Sequence, residues 1–219
     1  LAADLDGDLR VDAVVGTASA MHAFTSAASG ALAGFGSVAT TTQFFGYATT
    51  DDLDGDLDDD VLVSGDFGPP TMLRNGGAGS WSVVPLPAAP GVGAGRVFAG
   101  DWDGDGDPDV LLRDLASGFA QWRNDGSGGF TLARTLPLGL DASRAAVGLH
   151  DVDGDGALDW IEARAVLFGD GTFRQAEPVL GAVGAGLRDV DQDGDLDRAI
   201  GASGWQQNDA TGAFSTQLR

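Results

Sequence analysis

Five segments of the 219-residue chain set aspartates at positions 1, 3, 5 and 9 of a nine-residue stretch. They are Asp4-Leu-Asp6-Gly-Asp8-Leu-Arg-Val-Asp12, Asp52-Leu-Asp54-Gly-Asp56-Leu-Asp-Asp-Asp60, Asp101-Trp-Asp103-Gly-Asp105-Gly-Asp-Pro-Asp109, Asp151-Val-Asp153-Gly-Asp155-Gly-Ala-Leu-Asp159 and Asp189-Val-Asp191-Gln-Asp193-Gly-Asp195-Leu-Asp197. Four carboxylates so close together repel one another and cannot hold a loop by themselves. A hard divalent cation removes that repulsion, and calcium suits the pattern because it takes about six to eight oxygens in irregular geometry. The chemistry expected is therefore cation binding, at about five calcium sites, one per loop.

The charge balance agrees. The formal net charge is −21, from 33 acids against 12 bases, and no base is a lysine. Setting aside the 20 loop aspartates leaves 13 acids against 12 arginines, so the rest of the chain is nearly neutral. That argues against a halophile's general acidity and against an acidic tail. Nucleic acid is an unsuitable partner for such a chain, which lacks a basic patch. There is no cysteine, hence no disulfide and no thiolate metal site. No apolar run reaches membrane-spanning length, so membrane insertion is not expected. The chain begins at Leu1 and reads as a mature or excised piece. Loops of modest calcium affinity are useful where calcium is millimolar, which points outside the cytosol, to a secreted or cell-surface location.

Catalytic groupings are sparse. His22 and His150 are the two histidines, and no G-x-S-x-G elbow accompanies them. Glu162 and Glu177 are the two glutamates, weak material for paired-carboxylate chemistry when the aspartates are committed to metal. Gly34-Phe-Gly36-Ser-Val-Ala39 matches a dinucleotide fingerprint only loosely and lacks a strand–helix setting. The fourth loop matches the EF-hand consensus through Glu162, but the corresponding places elsewhere hold Val15, Val63, Leu112 and Ile200. Glu162 is therefore read as an edge-facing side chain, with an extra ligand or a channel-lining group as the alternatives. No enzymatic activity is expected.

The elements that position the loops repeat with them. Loop starts are 48, 49, 50 and 38 residues apart, the range of a unit of a few strands. Each ninth aspartate leads into an apolar run, such as Ala13-Val-Val15, Val61-Leu-Val63 or Val110-Leu-Leu112. Another run precedes the loop, as in Arg96-Val-Phe-Ala-Gly100. Further on come Leu73-Arg-Asn75-Gly, Trp122-Arg-Asn124-Asp-Gly, Leu167-Phe-Gly-Asp170-Gly and Trp205-Gln-Gln-Asn208-Asp, read as tight hairpin turns because Asn-Gly and Asp-Gly accept positive φ. Aromatics follow at Trp81, Phe130, Phe173 and Phe214. Each repeat thus reads as strand, loop, strand, strand, turn, strand: a four-stranded antiparallel sheet of the kind that forms a β-propeller blade. The fold class predicted is all-β, a single propeller domain over 1–219, with repeats near 1–47, 48–96, 97–146, 147–184 and 185–219.

Loops of the form D-x-D-G-D-x-x-x-D, followed by an apolar strand and an N-D-G-x-G-x-F turn, resemble the FG-GAP and VCBS-type repeats of integrin-like β-propellers. The resemblance covers all five repeats. It implies calcium held by the side chains at positions 1, 3, 5 and 9 and by the main-chain carbonyl at position 7, here Arg10, Asp58, Asp107, Ala157 and Asp195. Gln192 replaces the glycine of the other loops and is expected to strain the fifth turn. The Phe-Gly and Gly-Ala-Pro signatures of integrin blades are largely absent, so the integrin mode of ligand binding is not carried over.

The function expected is that of an extracellular, calcium-stabilised binding, adhesion or assembly module with a protein or glycan partner. Self-association, or assembly with other subunits, would follow from a ring whose terminal faces are left open. The alternatives are a propeller-type lectin and a domain of a secreted polysaccharide-degrading enzyme. Of the five tryptophans, Trp102 and Trp160 flank loops and are expected to be the more exposed, hence the better candidates for stacking on sugar. The others are read as packing residues.

Overall fold

Val61-Leu-Val63 follows the second loop, and alternate residues of an extended chain point to opposite faces. Such an all-apolar run is stable only where both faces of its sheet are covered. The computed structural model shows how this is met. It describes residues 2–17, 20–39, 47–65, 69–93, 95–114, 118–137, 146–152, 154–162, 165–167, 187–193, 196–199, 204–208 and 215–218. Among these the protein is all-β, with five antiparallel sheets and no helix.

Sheet 1 consists of β1 (Ala2–Ala3), β2 (Asp12–Gly16), β3 (Ala20–Ser26) and β4 (Leu32–Ala39), in that spatial order. Sheet 2 is β5 (Tyr47–Asp51), β6 (Asp60–Ser64), β7 (Thr71–Asn75) and β8 (Trp81–Pro85), and sheet 3 is β9 (Gly95–Gly100), β10 (Asp109–Asp114), β11 (Gly118–Asn124) and β12 (Phe130–Pro137). Sheet 4 has three described strands, β13 (Ala146–His150), β14 (Asp159–Glu162) and β15 (Ala165–Leu167). Sheet 5 is β16 (Leu187–Arg188), β17 (Asp197–Ala199), β18 (Gly204–Gln207) and β19 (Ser215–Leu218). One sheet therefore falls in each sequence repeat, and every aspartate loop joins the first strand of its sheet to the second.

The chain divides into two compact units, Leu1–Gly100 with Asp107–Ala142, and Asp101–Gly106 with Ser143–Arg219. In the first unit, sheet 2 has both faces covered. Val61, Val63 and Leu73 pack with Leu5, Met21 and Ala23 from the first repeat. Leu62 and Met72, on the other face, pack with Val97, Val110, Leu112, Ala120 and Trp122 of sheet 3. The register places Val61 opposite Leu73 and Leu62 opposite Met72, so each cross-strand pair feeds one of the two cores. Outer strands are wetter: β4 holds only exposed and half-buried residues. Gly36 on β4 and Gly79 in the β7–β8 turn bring the outer edges of sheets 1 and 2 together. A Cβ on Gly36 would lie 2.6 Å from the Gly79 carbonyl oxygen and 2.6 Å from the Trp81 ring.

The turns after Asn75 and Asn124 differ from the sequence expectation. Both asparagines are the last residues of their strands, β7 and β11. The left-handed positions fall later, at Gly77, Ala78 and Gly79 and at Gly126 and Gly128. The connection is a wider turn closed by Gly76 N–H to the Ser80 carbonyl (2.8 Å), and by Asp125 N–H to the Gly129 carbonyl (3.1 Å) in sheet 3. The asparagines are fixed there for another reason, which the loops explain.

Candidate metal centres

Each loop is folded by its own carboxylates. The first aspartate accepts from the backbone N–H groups that follow it: Asp52 Oδ1 from Gly55 (2.9 Å) and Asp56 (3.1 Å), and Oδ2 from Leu57 (3.0 Å). Asp101 repeats this with Gly104, Asp105 and Gly106, and Asp151 with Gly154, Asp155 and Gly156. Asp4 binds the N–H groups of Asp8 and Leu9, and Asp189 that of Gln192. The fifth aspartate position caps the seventh N–H, through Asp8 to Arg10, Asp56 to Asp58 and Asp155 to Ala157.

Wrapping the chain around one carboxylate demands left-handed backbone at positions 4 and 6. Glycine takes position 4 in four loops (Gly7, Gly55, Gly104, Gly154), and Gln192 adopts φ 65° in the fifth, the strained turn its sequence predicted. At position 6, Gly106 and Gly156 have φ 95° and 92°, but Leu9 and Leu57 are held at 64° and 73°. Their side chains are 93% and 86% exposed, so packing does not repay that conformation.

The ninth aspartate is a buried latch. Asp60 is fully enclosed; its Oδ1 accepts from Asn75 N–H (2.7 Å) and its Oδ2 from Leu53 N–H (3.2 Å). Asp12 does the same with Ser26 (2.7 Å) and Leu5 (2.9 Å), and Asp197 with Asn208 (2.9 Å) and Val190 (2.8 Å). Asp109 accepts from Asn124 N–H (2.8 Å), and Asp159 from Val152 N–H (2.7 Å).

Carboxylate oxygens converge to within 4.8 Å in four described groups: Asp4, Asp6 and Asp8; Asp52, Asp54 and Asp56; Asp101, Asp103 and Asp105; and Asp189, Asp191 and Asp197. Positions 1, 3 and 5 thus gather as the spacing required, and the fifth loop uses position 9 with 1 and 3. Asp153 and the position-7 residue Asp195 lie outside the described residues.

The electrostatics favour a cation. Burial pushes the Asp60 carboxyl up to about 7, against a downward pull from its two N–H donors. Burial and then the neighbouring Asp56 raise Asp54, and burial followed by Asp56, Asp52, Asp54 and Asp6 raises Asp58. Asp51 and Asp59 are raised as well, burial again being the largest cause. Arg74 pairs with Asp54 and Arg10 with Asp8, which relieves part of the repulsion. The donor set is all oxygen and carries several negative charges, which fits a hard cation of calcium's size better than zinc, with its nitrogen and sulfur ligands.

Two other sequence expectations change. Trp102 and Trp160 are completely buried, so neither is available to a sugar. Trp102 is the second residue of its loop, a place also filled by Leu5, Leu53 and Val152, all fully buried. The apolar character shared by that position in all five loops was the signal for it. Trp122 is buried in the core between sheets 2 and 3 and donates to the Pro87 carbonyl (2.8 Å), while Trp81 meets Phe35 edge-on at 6.5 Å. His150 is exposed and His22 half-buried. The side chain of Glu162 lies outside the described residues.

The FG-GAP-like repeat model matches residues 52–112 and 101–161. The chain belongs to the FG-GAP-like repeat family. Among solved structures, this FG-GAP-like chain is similar to the rhamnogalacturonan lyase YesW, at TM-score 0.60 and 16% identity over 99% of its own length and 37% of the lyase. It is also similar to a rhamnogalacturonan lyase of Bacillus licheniformis, at TM-score 0.59 and 15% identity, again over 99% of this chain and 37% of the other. It thus spans little more than a third of either lyase, and at such identity the likeness is one of fold. No curated protein matches it significantly. No helix among the described residues is long and apolar enough to cross a membrane.

Proposed function

We propose that this FG-GAP-like chain is a calcium-stapled β-propeller module that works outside the cell by binding a glycan or protein partner, without catalysing a reaction itself. The observation that carries the reading is the convergence of three carboxylates in each of four loops, on turns already ordered by backbone N–H donors. The proposed ligands are the aspartates at positions 1, 3, 5 and 9 with the position-7 carbonyl. Calcium supplies positive charge at the centre of each loop. The chain supplies the rest: position 1 shapes the turn, position 9 ties the loop to the end of the third strand of its sheet, and the buried second residue anchors it in the core.

Metal analysis and thermal unfolding test this directly. Close to five calcium ions per chain and a midpoint that falls in chelator are expected. A site at 100-fold excess over its dissociation constant contributes about 2.7 kcal/mol. An unchanged midpoint in chelator would show that the loops do not depend on metal.

The likeness to two rhamnogalacturonan lyases supports a second reading, a module of a secreted polysaccharide-acting enzyme. A glycan array that includes rhamnogalacturonan separates the readings, together with an assay for depolymerisation of the same polymer. Binding without cleavage supports the module. Cleavage by this chain alone would replace it with an enzyme. Self-association remains part of the proposal and is read from the mass in solution.

A further inference from the structure

The turn asparagines do something that neither turn chemistry nor metal ligation requires. Asn75 Nδ2 donates backward to the Leu5 carbonyl of the first loop (2.8 Å), and to the Asp59 carbonyl of its own loop (3.3 Å). Asn124 does the same to Leu53 of the second loop (2.8 Å) and to Pro108 (2.9 Å). Asn208 reaches Val152 of the fourth loop (2.6 Å) and Leu196 (3.4 Å). In each case the distant acceptor is the second residue of the preceding loop, whose own N–H is held by that loop's ninth aspartate wherever that bond is described.

Joined together, these bonds make continuous lines between metal loops. From Asp12 Oδ2 the line passes through the N–H of Leu5, out of the Leu5 carbonyl to Asn75 Nδ2, and from Asn75 N–H to Asp60 Oδ1. It continues from Asp60 Oδ2 through Leu53 to Asn124 and Asp109. A separate line runs from Asp159 through Val152 to Asn208 and Asp197. All of its links are short and mostly buried, so a shift of one carboxylate toward an ion is not absorbed by solvent.

We infer that Asn75, Asn124 and Asn208 are positioning residues that couple successive calcium loops, so that an ion in one loop favours the next. The inference rests on the calcium reading above. An ion that draws Asp12 into line fixes the Leu5 N–H and so the Leu5 backbone. The Leu5 carbonyl then orients the Asn75 side chain, and the Asn75 N–H sets Asp60. By linkage the effect is reciprocal, and loss of the second ion weakens the first by the same factor.

The test is a calcium titration of the whole chain, followed by calorimetry, against Asn75→Ser and Asn124→Ser. Serine is what the first repeat carries at the corresponding place, where Ser26 N–H still holds Asp12. The substitution therefore keeps the latch and removes the side-chain bridge, while the serine hydroxyl can still accept the turn N–H groups of Gly77 and Asp125 that Asn75 and Asn124 hold. The native chain should fill its loops over a narrower calcium range than independent sites would. The serine variants should bind the same number of ions, with a shallower curve and a midpoint about five-fold higher, the lower end of coupling between sites. A second arm weakens the first loop by Asp6→Asn with Asp8→Asn. Calcium binding to the remaining loops should weaken in the native background and be indifferent to the change in Asn75→Ser. Independent filling of the native chain, or serine variants with its steepness, would overturn the coupling and leave calcium binding standing. Failure of the native chain to bind calcium would overturn both.

Discussion

Asp60 is completely enclosed, and without an ion its carboxyl is pushed from the ordinary 3.8 up to about 7. Replacing it by asparagine should therefore stabilise the metal-free fold and forfeit that gain when calcium is present. The displacement is about three pKa units, and each is worth about 1.4 kcal/mol, so keeping this group ionised in the metal-free fold at pH 8 costs roughly 4 kcal/mol. Asparagine removes that charge and retains one acceptor for the N–H groups of Leu53 and Asn75. Its amide then faces the other donor, a mismatch worth about 1–3 kcal/mol. In chelator at pH 8 the Asp60→Asn chain should accordingly be more stable than the native one by roughly 1–3 kcal/mol. In excess calcium the native chain gains about 2.7 kcal/mol from this site and the variant, lacking a ligand, does not, which cancels or reverses that advantage. Urea unfolding under the two conditions measures both differences. A variant destabilised equally in calcium and in chelator would refute the reasoning, because Asp60 would then be a structural hydrogen-bond acceptor and nothing more.

The same shift fixes a pH dependence: in chelator, the stabilisation from protonated Asp60 is fully present below about pH 4 and is lost as pH rises through about 7. Melting temperature in chelator should fall across that window, and with calcium present it should instead fall on acidification as protons displace the ion. Leu57→Gly should raise stability by about 0.5–1 kcal/mol in denaturant unfolding, since φ 73° strains leucine and the 86% exposed side chain gives up no packing. Gly36→Ala should lower it by about 1–3 kcal/mol, because the added methyl overlaps the Gly79 carbonyl and the Trp81 ring. An unchanged urea midpoint would show that β4 can move aside.

The aspartate spacing was legible because such an acidic loop is local: positions 1, 3 and 5 meet through one turn of backbone, with no help from distant chain. The strands were legible for a similar reason, since Val61-Leu-Val63 can be stable only inside a sheet covered on both faces. What escaped depends on partners remote in sequence. Asn75 and Asn124 look like turn residues beside glycine, and only the folded array shows their side chains bonded to loops about 70 residues away. Trp102 and Trp160 look exposed beside charged loops, yet the second loop residue and the strand after the loop both point into the core. The left-handed leucines carried no sequence warning at all, because glycine at the same place in three sibling loops passes for ordinary turn composition.

The backward reach of the asparagines gives the array a direction in time. In the three described cases the carbonyl of the second loop residue, at Leu5, Leu53 and Val152, receives its side-chain donor from a later sheet. A ribosome delivers the earlier loop first, and the later asparagine then closes on a surface that already exists. The second loop residue is the meeting point in each of these cases. Val190 holds that place in the fifth loop and is 41% exposed, while Leu5, Leu53, Trp102 and Val152 are fully buried. Along these lines, synthesis and consolidation therefore advance in the same order.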